Sequence, residues 1–201
     1  MNAEKLPVFP LSAHILPGGR MALRIFEPRY LRMVKHACAT DTVFVICMHC
    51  NHVNIAQNQQ ILPIGTAVRV IDFNTLPDGL LGIKVAGEYC VEVDNVVTEF
   101  DGLQRADCKK YQVWNAQQLT QQIAPMDERL KEIFAQFTDL AQQYDELKFS
   151  DSNWVLFRWL ELLPIDAKKK QHFLVQKDAK ELLSYLFALH EVMVDKVPRV
   201  S

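Results

Sequence analysis

The stretch Arg20-Met-Ala-Leu-Arg-Ile-Phe-Glu-Pro-Arg-Tyr-Leu-Arg-Met-Val34 constrains the fold more than any other part of this chain. In its first half Met21, Leu23 and Ile25 alternate with Arg20, Ala22 and Arg24, the period of a half-buried strand. Glu27-Pro28 then stops the strand, because proline donates no ladder hydrogen bond but suits the first position of a helix. Beyond it Tyr30, Leu31, Val34, Ala37 and Cys38 recur at helical spacing, with Arg29, Arg32, Lys35 and His36 opposite. A strand over 20–26 therefore runs straight into a helix. Upstream, Leu6-Pro-Val-Phe-Pro-Leu11 is followed by Ile15-Leu-Pro-Gly-Gly19, which reads as a tight turn.

Downstream of that helix the periods are those of strands. Thr42-Val-Phe-Val-Ile-Cys-Met48 is apolar at nearly every position and suggests a strand covered on both faces. Asn51 to Gln60 is polar and reads as a surface loop or a poorly formed hairpin. Residues 64–73 and 80–86 flank Leu76-Pro-Asp-Gly79, in which proline presets φ and Asp-Gly tolerates positive φ, so a hairpin is expected. Val68 and Val70 share one face of it, as do Leu81, Ile83 and Val85 on the partner strand. Gly87-Glu88 interrupts the alternation like a bulge, and Tyr89, Val91 and Val93 resume it. One more strand fits within 103–113. About six strands and one helix suit a closed or nearly closed barrel.

The composition shifts over Val113 to Pro125, which is rich in glutamine and ends in proline, and a subdomain boundary is placed there, dividing 1–115 from 116–201. The remainder has helical periods. Leu130, Ile133, Phe134, Phe137, Leu140, Ala141 and Tyr144 predict one long amphipathic helix. Asp151 or Ser152 caps a second, 154–163, apolar almost all round and placed at the centre of a bundle. Pro164 ends it, and two further helices are expected over 166–175 and 179–194.

These segments, in this order, resemble the N-terminal, substrate-recognising domain of the Lon (La) ATP-dependent proteases. The likeness is carried by Pro7-Val-Phe-Pro-Leu11, Leu16-Pro-Gly18 and Arg24-Ile-Phe-Glu-Pro-Arg-Tyr30 in the first half. In the second half it is carried by Leu160-Glu-Leu-Leu-Pro164, Lys170-Gln171 and Leu182-Leu183. The resemblance spans Pro7 to about His190. It implies an α+β chain: a PUA-like β pseudobarrel with one helix, followed by a C-terminal α-helical bundle. It also implies a recognition module that binds a polypeptide substrate or an adaptor partner, with no cofactor, and with a chain that ends where an ATPase would begin.

Catalytic chemistry is not evident. No Gly-x-x-x-x-Gly-Lys-Ser/Thr stretch is present to cradle ATP phosphates. None of Ser12, Ser150, Ser152, Ser184 and Ser201 lies in a glycine-flanked elbow or a Ser-Lys setting. Cys47-Met-His-Cys50 with His52 raises a metal or redox centre. No second ligand pair matches it, and on a continuous strand Cys47 and Cys50 face opposite ways, so core and edge roles are the stronger reading. Lys168-Lys-Lys170 reads as a solvated helix face, and Trp154 and Trp159 as core.

Net charge is −2, from 22 Lys+Arg against 24 Asp+Glu, and gives no strong signal for nucleic acid or an anionic membrane. Five unevenly spaced cysteines, no signal peptide and no apolar run of about 18 residues point to a cytoplasmic protein with reduced thiols. The expectation is a non-enzymatic polypeptide-binding module, with Arg24, Glu27, Arg29 and Tyr30 as candidate binding residues. The competing reading of those four is local: a carboxylate at a helix start and an arginine paired with it. The alternative function is a PUA-like module for nucleic acid or a small ligand, against which the short, separated basic clusters weigh.

Overall fold

The alternating half of the Arg20–Val34 stretch forms a strand and its second half a helix, with Glu27 at the N-cap and Pro28 in the first turn. These observations come from a computed structural model that describes residues 4–54, 59–114 and 123–195, with 50–54, 59–60 and 192–195 described at the backbone only. In chain order the strand elements are β1 (Glu4–Leu11), β2 (Arg20–Ile25), then helix α1 (Pro28–Thr40), β3 (Phe44–Asn54), β4 (Gln59–Ile61), β5 (Ile64–Thr75), β6 (Leu81–Thr98) and β7 (Gln104–Lys110). The helices α2 (Met126–Gln136), α3 (Thr138–Ala141), α4 (Ser152–Leu162), α5 (Ala167–Leu174) and α6 (Lys180–Asp195) follow. It is a mixed α+β chain. No helix among the described residues is long and apolar enough to cross a membrane.

Packing separates two compact units, one of Met1–Gln112 with Phe157–Gln171, the other of Val113–Leu156 with His172–Ser201. In the first, the seven strands form one sheet ordered β1-β7-β6-β5-β3-β4, with β2 beside β6. A parallel pairing of β1 with β3, Val8 opposite Val45 through Leu11 opposite Met48, joins the two flanks. The pairings thus run in a cycle, β1–β7–β6–β5–β3–β1. Strands buried on both faces explain the unbroken apolar run after α1. Phe44 and Ile46 enter one core cluster with Phe9, Tyr30, Val34 and Ile83, while Val45 and Cys47 enter another with Val8, Val91 and Ala106.

The expected hairpin forms, with Leu76 and Leu80 bonded across a turn whose Gly79 has φ +83°. The Gly87-Glu88 interruption is a bulge: the pairing steps from Ala67–Tyr89 to Val68–Gly87 and skips Glu88. Glycine is required at 87, because a Cβ there would lie 2.3 Å from the Leu16 carbonyl oxygen. The polar 51–60 segment resolves into a hairpin of β3 and β4, Asn54 opposite Gln59, whose tip at 55–58 lies outside the described residues. On α1 the buried face is Tyr30, Met33, Val34 and Ala37, so Met33 is inside whereas Cys38 is exposed.

The same unit holds the end of α4 and most of α5. The Arg158 side chain, 1% exposed, pairs with Glu161 at 2.6 Å, and its Nη2 donates to the carbonyls of Leu16 and Pro17. The Leu16 N–H donates to Glu161 at 2.6 Å, so this pair clasps the Pro-Gly-Gly turn. Gly19 is needed there, since a Cβ would sit 2.5 Å from the Glu161 Oε1. Lys170 is not on a solvated face. It is buried, and its ammonium donates to the Glu161 carbonyl at 3.0 Å, the burial holding its pKa below the usual lysine range.

In the second unit the expected single helix over 130–144 is two. It breaks at Phe137 (φ −106°, ψ 75°), whose ring is left exposed, and α3 is a single turn. The chain then turns back so that Tyr144, Phe149 and Trp154 gather around Phe134 at centroid distances of 5.6–5.8 Å. That aromatic cluster outweighs continuation of the helix. Asp151 caps α4, accepting from the N–H groups of Asn153 and Trp154. Of the boundary stretch, 115–122 lies outside the described residues.

Candidate functional site

The strand-to-helix corner borders a cleft of about 290 Å3. Its walls come from β1 (Phe9, Pro10, Leu11), β2 (Leu23, Arg24, Ile25) and the start of α1 (Glu27, Arg29, Tyr30), with Phe26, His49 and Gln104. The corner is abrupt because Pro28 begins the helix and the Glu27 carbonyl accepts from the N–H groups of both Tyr30 and Leu31 at 3.0 Å.

All four sequence-identified candidates line this cleft, in different settings. Arg24 is exposed and paired with Asp78 in the hairpin turn. Arg29 pairs with Glu27 at 2.6 Å, as the local reading expects, and its Nη1 donates to the Gly102 carbonyl at 2.9 Å. Its guanidinium also lies 4.7 Å from the Tyr30 ring centre. Tyr30 is a wall residue of the core, 8% exposed and stacked on Phe9. Burial pushes its phenol up from the usual range, so the hydroxyl stays neutral at physiological pH.

Two aromatics that sequence reasoning passed over stand out of the surface at this end of α1. Phe26 is 64% exposed and Phe100 94% exposed. The turn bearing Phe100 is braced by Arg32, which bonds Asp101 at 2.7 and 2.9 Å and pairs with Glu99, while Arg105 bonds Glu99 from β7. The Arg32 hydrogen bonds hold the Asp101 carboxyl below the usual carboxylate range. The Arg32 guanidinium lies 5.5 Å from the Phe100 ring centre. A signal for Phe26 exists in the sequence: it follows Ile25 directly and so falls on the outward phase of β2. Nothing marks Phe100, because its exposure depends on a turn held by residues from two other elements, α1 and β7.

The thiols sit elsewhere. Cys47 is fully buried, packed near Cys108 in the second core cluster, and burial pushes its thiol well above the usual range. The side chains of Cys50 and His52 lie outside the described residues.

A family model described as the ATP-dependent protease La (LON) substrate-binding domain matches residues 5–189. A Lon protease of Amoebophilus asiaticus (strain 5a2) is 24% identical over 189 residues, 89% of this chain. The chain spans only 23% of that relative's length. Among solved structures, the Lon N-terminal domain protein from Xanthomonas campestris superposes with TM-score 0.71 at 25% identity, over 92% of this chain and 98% of that one. The N-terminal domain of the Mycobacterium avium complex Lon protease superposes with TM-score 0.63 over 92% and 97%, and at 11% identity shows likeness of fold alone.

Proposed function

The chain belongs to the Lon substrate-binding domain family, and from that premise we propose that it is a non-catalytic recognition module for unfolded or partner polypeptides in the cytoplasm, docking them at the β2–α1 corner. The observation that carries this reading is the cleft itself. Apolar walls from Phe9, Leu11, Leu23 and Ile25 meet an exposed Phe26 and two arginines. Exposed apolar surface beside a polar rim is what a protein lacking catalytic groups needs in order to hold a disordered chain. Arg24, Glu27 and Arg29 are the rim, and Tyr30 supports the floor.

The cyclic strand pairing supports a PUA-like pseudobarrel for this half, and the helices described after residue 125 support a C-terminal helical bundle, although the end of α4 and most of α5 pack with the strands. The division of 1–115 from 116–201 follows the change from strands to helices along the chain, whereas by packing 157–171 belong with the strands. The absence of any phosphate-cradling or Ser-Lys motif in these 201 residues supports a module without its own ATPase or protease activity.

The test is capture of a permanently unfolded model protein by the immobilised chain and by its Phe26→Ser variant, with thermal unfolding measured on the same preparations. Capture lost in a variant that keeps its fold supports the corner. Unchanged capture removes it. Saturable ATP binding, or casein degradation abolished by a point mutation, would overturn the non-catalytic part.

A further inference from the structure

We propose that the polypeptide binds as an added strand along the outer edge of β2, and that the segments selected alternate apolar with acidic residues. This rests on the reading of the corner as a polypeptide site and specifies the mode of binding and the class of chain.

Among the described strands β2 pairs with β6 alone, Arg20 opposite Ala86 through Ile25 opposite Leu81. Alternate residues of 20–25 therefore turn their backbone N–H and C=O groups away from the sheet, as edge strands do. A second edge opens nearby. The pairing of β1 with β7 ends at Val8, opposite Gln104, and Phe9, Pro10 and Leu11 pair only with β3. The cleft lies between these two edges, for Phe9–Leu11 line one wall and Leu23–Phe26 the other. An extended chain brings backbone donors and acceptors to such edges at every residue, which a compact ligand does not. Of the two edges β2 is the one to pair, because Pro10 has no N–H to offer from β1.

The side chains of β2 set what the added strand carries. Met21, Leu23 and Ile25 pack on or in the core cluster, while Ala22 and Arg24 are exposed. A neighbouring strand places its alternate side chains level with these two rows. Those level with Leu23 and Ile25 enter the cleft and find Phe9 and Leu11, so they are apolar. Those level with Arg20 and Arg24 meet guanidinium groups, so carboxylates complement them. Neither arginine is free: Arg20 donates to the Gly19 carbonyl at 3.3 Å and Arg24 pairs with Asp78, the latter on an exposed surface that a competing carboxylate can reach.

The experiment uses the full chain and labelled peptides of roughly nine residues, enough at ~3.3 Å per residue to span β2 with flanks. One peptide alternates leucine with glutamate and one leucine with lysine. Two more leucine–glutamate peptides are N-methylated at alternate residues along one edge or the other. The leucine–glutamate peptide is expected to bind about tenfold tighter than its lysine counterpart. N-methylation along one edge is expected to abolish binding and along the other to spare it. Arg20→Glu with Arg24→Glu is expected to reverse the preference towards lysine, which a misfolded variant does not do. Equal binding of the two N-methylated peptides overturns strand addition, and equal binding of the two charge patterns overturns the selectivity. Either result, with capture of unfolded protein intact, leaves the broader reading standing. Binding of neither peptides nor unfolded protein defeats both.

Discussion

The ring of Tyr30 stacks on that of Phe9 with centroids 4.1 Å apart and planes inclined by 28°. One wall of the cleft is thereby part of the core. Tyr30→Ala is expected to cost about 3 kcal/mol of stability by leaving a cavity between α1 and β1. Tyr30→Phe keeps the stack and is expected to stay within about 1 kcal/mol. Urea unfolding of both variants checks this, and an unchanged midpoint for Tyr30→Ala contradicts it. Polypeptide capture by Tyr30→Ala is expected to fall only in step with its fold.

A second variant reads the link between α5 and the sheet. The Gln171 side-chain amide accepts from the Ile64 N–H at 2.9 Å and donates to the Ile64 carbonyl at 2.7 Å, in place of a neighbouring strand. Gln171→Leu leaves both backbone groups buried and unpaired. The expected loss is about 2–4 kcal/mol, from one unsatisfied donor and one acceptor. A Gln171→Leu protein as stable as the parent refutes the pairing.

Acid stability depends on two buried groups near the Pro-Gly-Gly turn. Desolvation, with Lys170 adding to it, holds His14 down to about 3 from 6.5. Its contribution is present above pH 6.5 and is lost as pH falls, by about 1.4 kcal/mol per unit, because only the unfolded state takes the proton. Burial pushes Glu161 up to about 6 from 4.5, against the pull of Arg158, the Leu16 N–H and Lys170. Its contribution runs the other way, fully present below pH 4.5 and lost as pH rises through 6. The two are expected to offset each other between pH 6 and 4.5. In His14→Leu the offset is gone, and stability relative to the parent is expected to rise as pH falls across that window. Denaturant titrations at pH 6 and 4.5 decide it, and parallel pH slopes for the two proteins contradict it.

Limited proteolysis is expected to cut first within 113–125, where the glutamine-rich connector lies. The two fragments are expected to stay together on size exclusion, since Arg158 and Glu161 hold Leu16, and Gln171 holds Ile64, across the cut. A first cut within 80–93, or separation of the fragments under native conditions, goes against this.

Local pattern determined much of this protein. The alternation at 20–25, the Pro28 helix start, the Leu76–Gly79 turn and the bulge at Gly87-Glu88 each follow from a few adjacent residues, because strand period, proline geometry and positive φ are local properties. Arg24, Glu27, Arg29 and Tyr30 were brought together in the sequence for the same reason: a strand running into a helix puts them at one corner.

Tertiary structure decided what no neighbour in sequence encodes. Helical periodicity continues through Phe137, yet the chain breaks there because Tyr144, Phe149 and Trp154 close around Phe134. Lys170 carries the sequence marks of a solvated lysine and is buried because its ammonium donates a hydrogen bond to the Glu161 carbonyl on α4. Phe100 stands exposed because Arg32 and Arg105, from different elements, brace its turn. The cleft exists only where the pairing of β1 with β7 stops short beside β2, and such registers are set by the packing of all strands at once, not by the residues of any one.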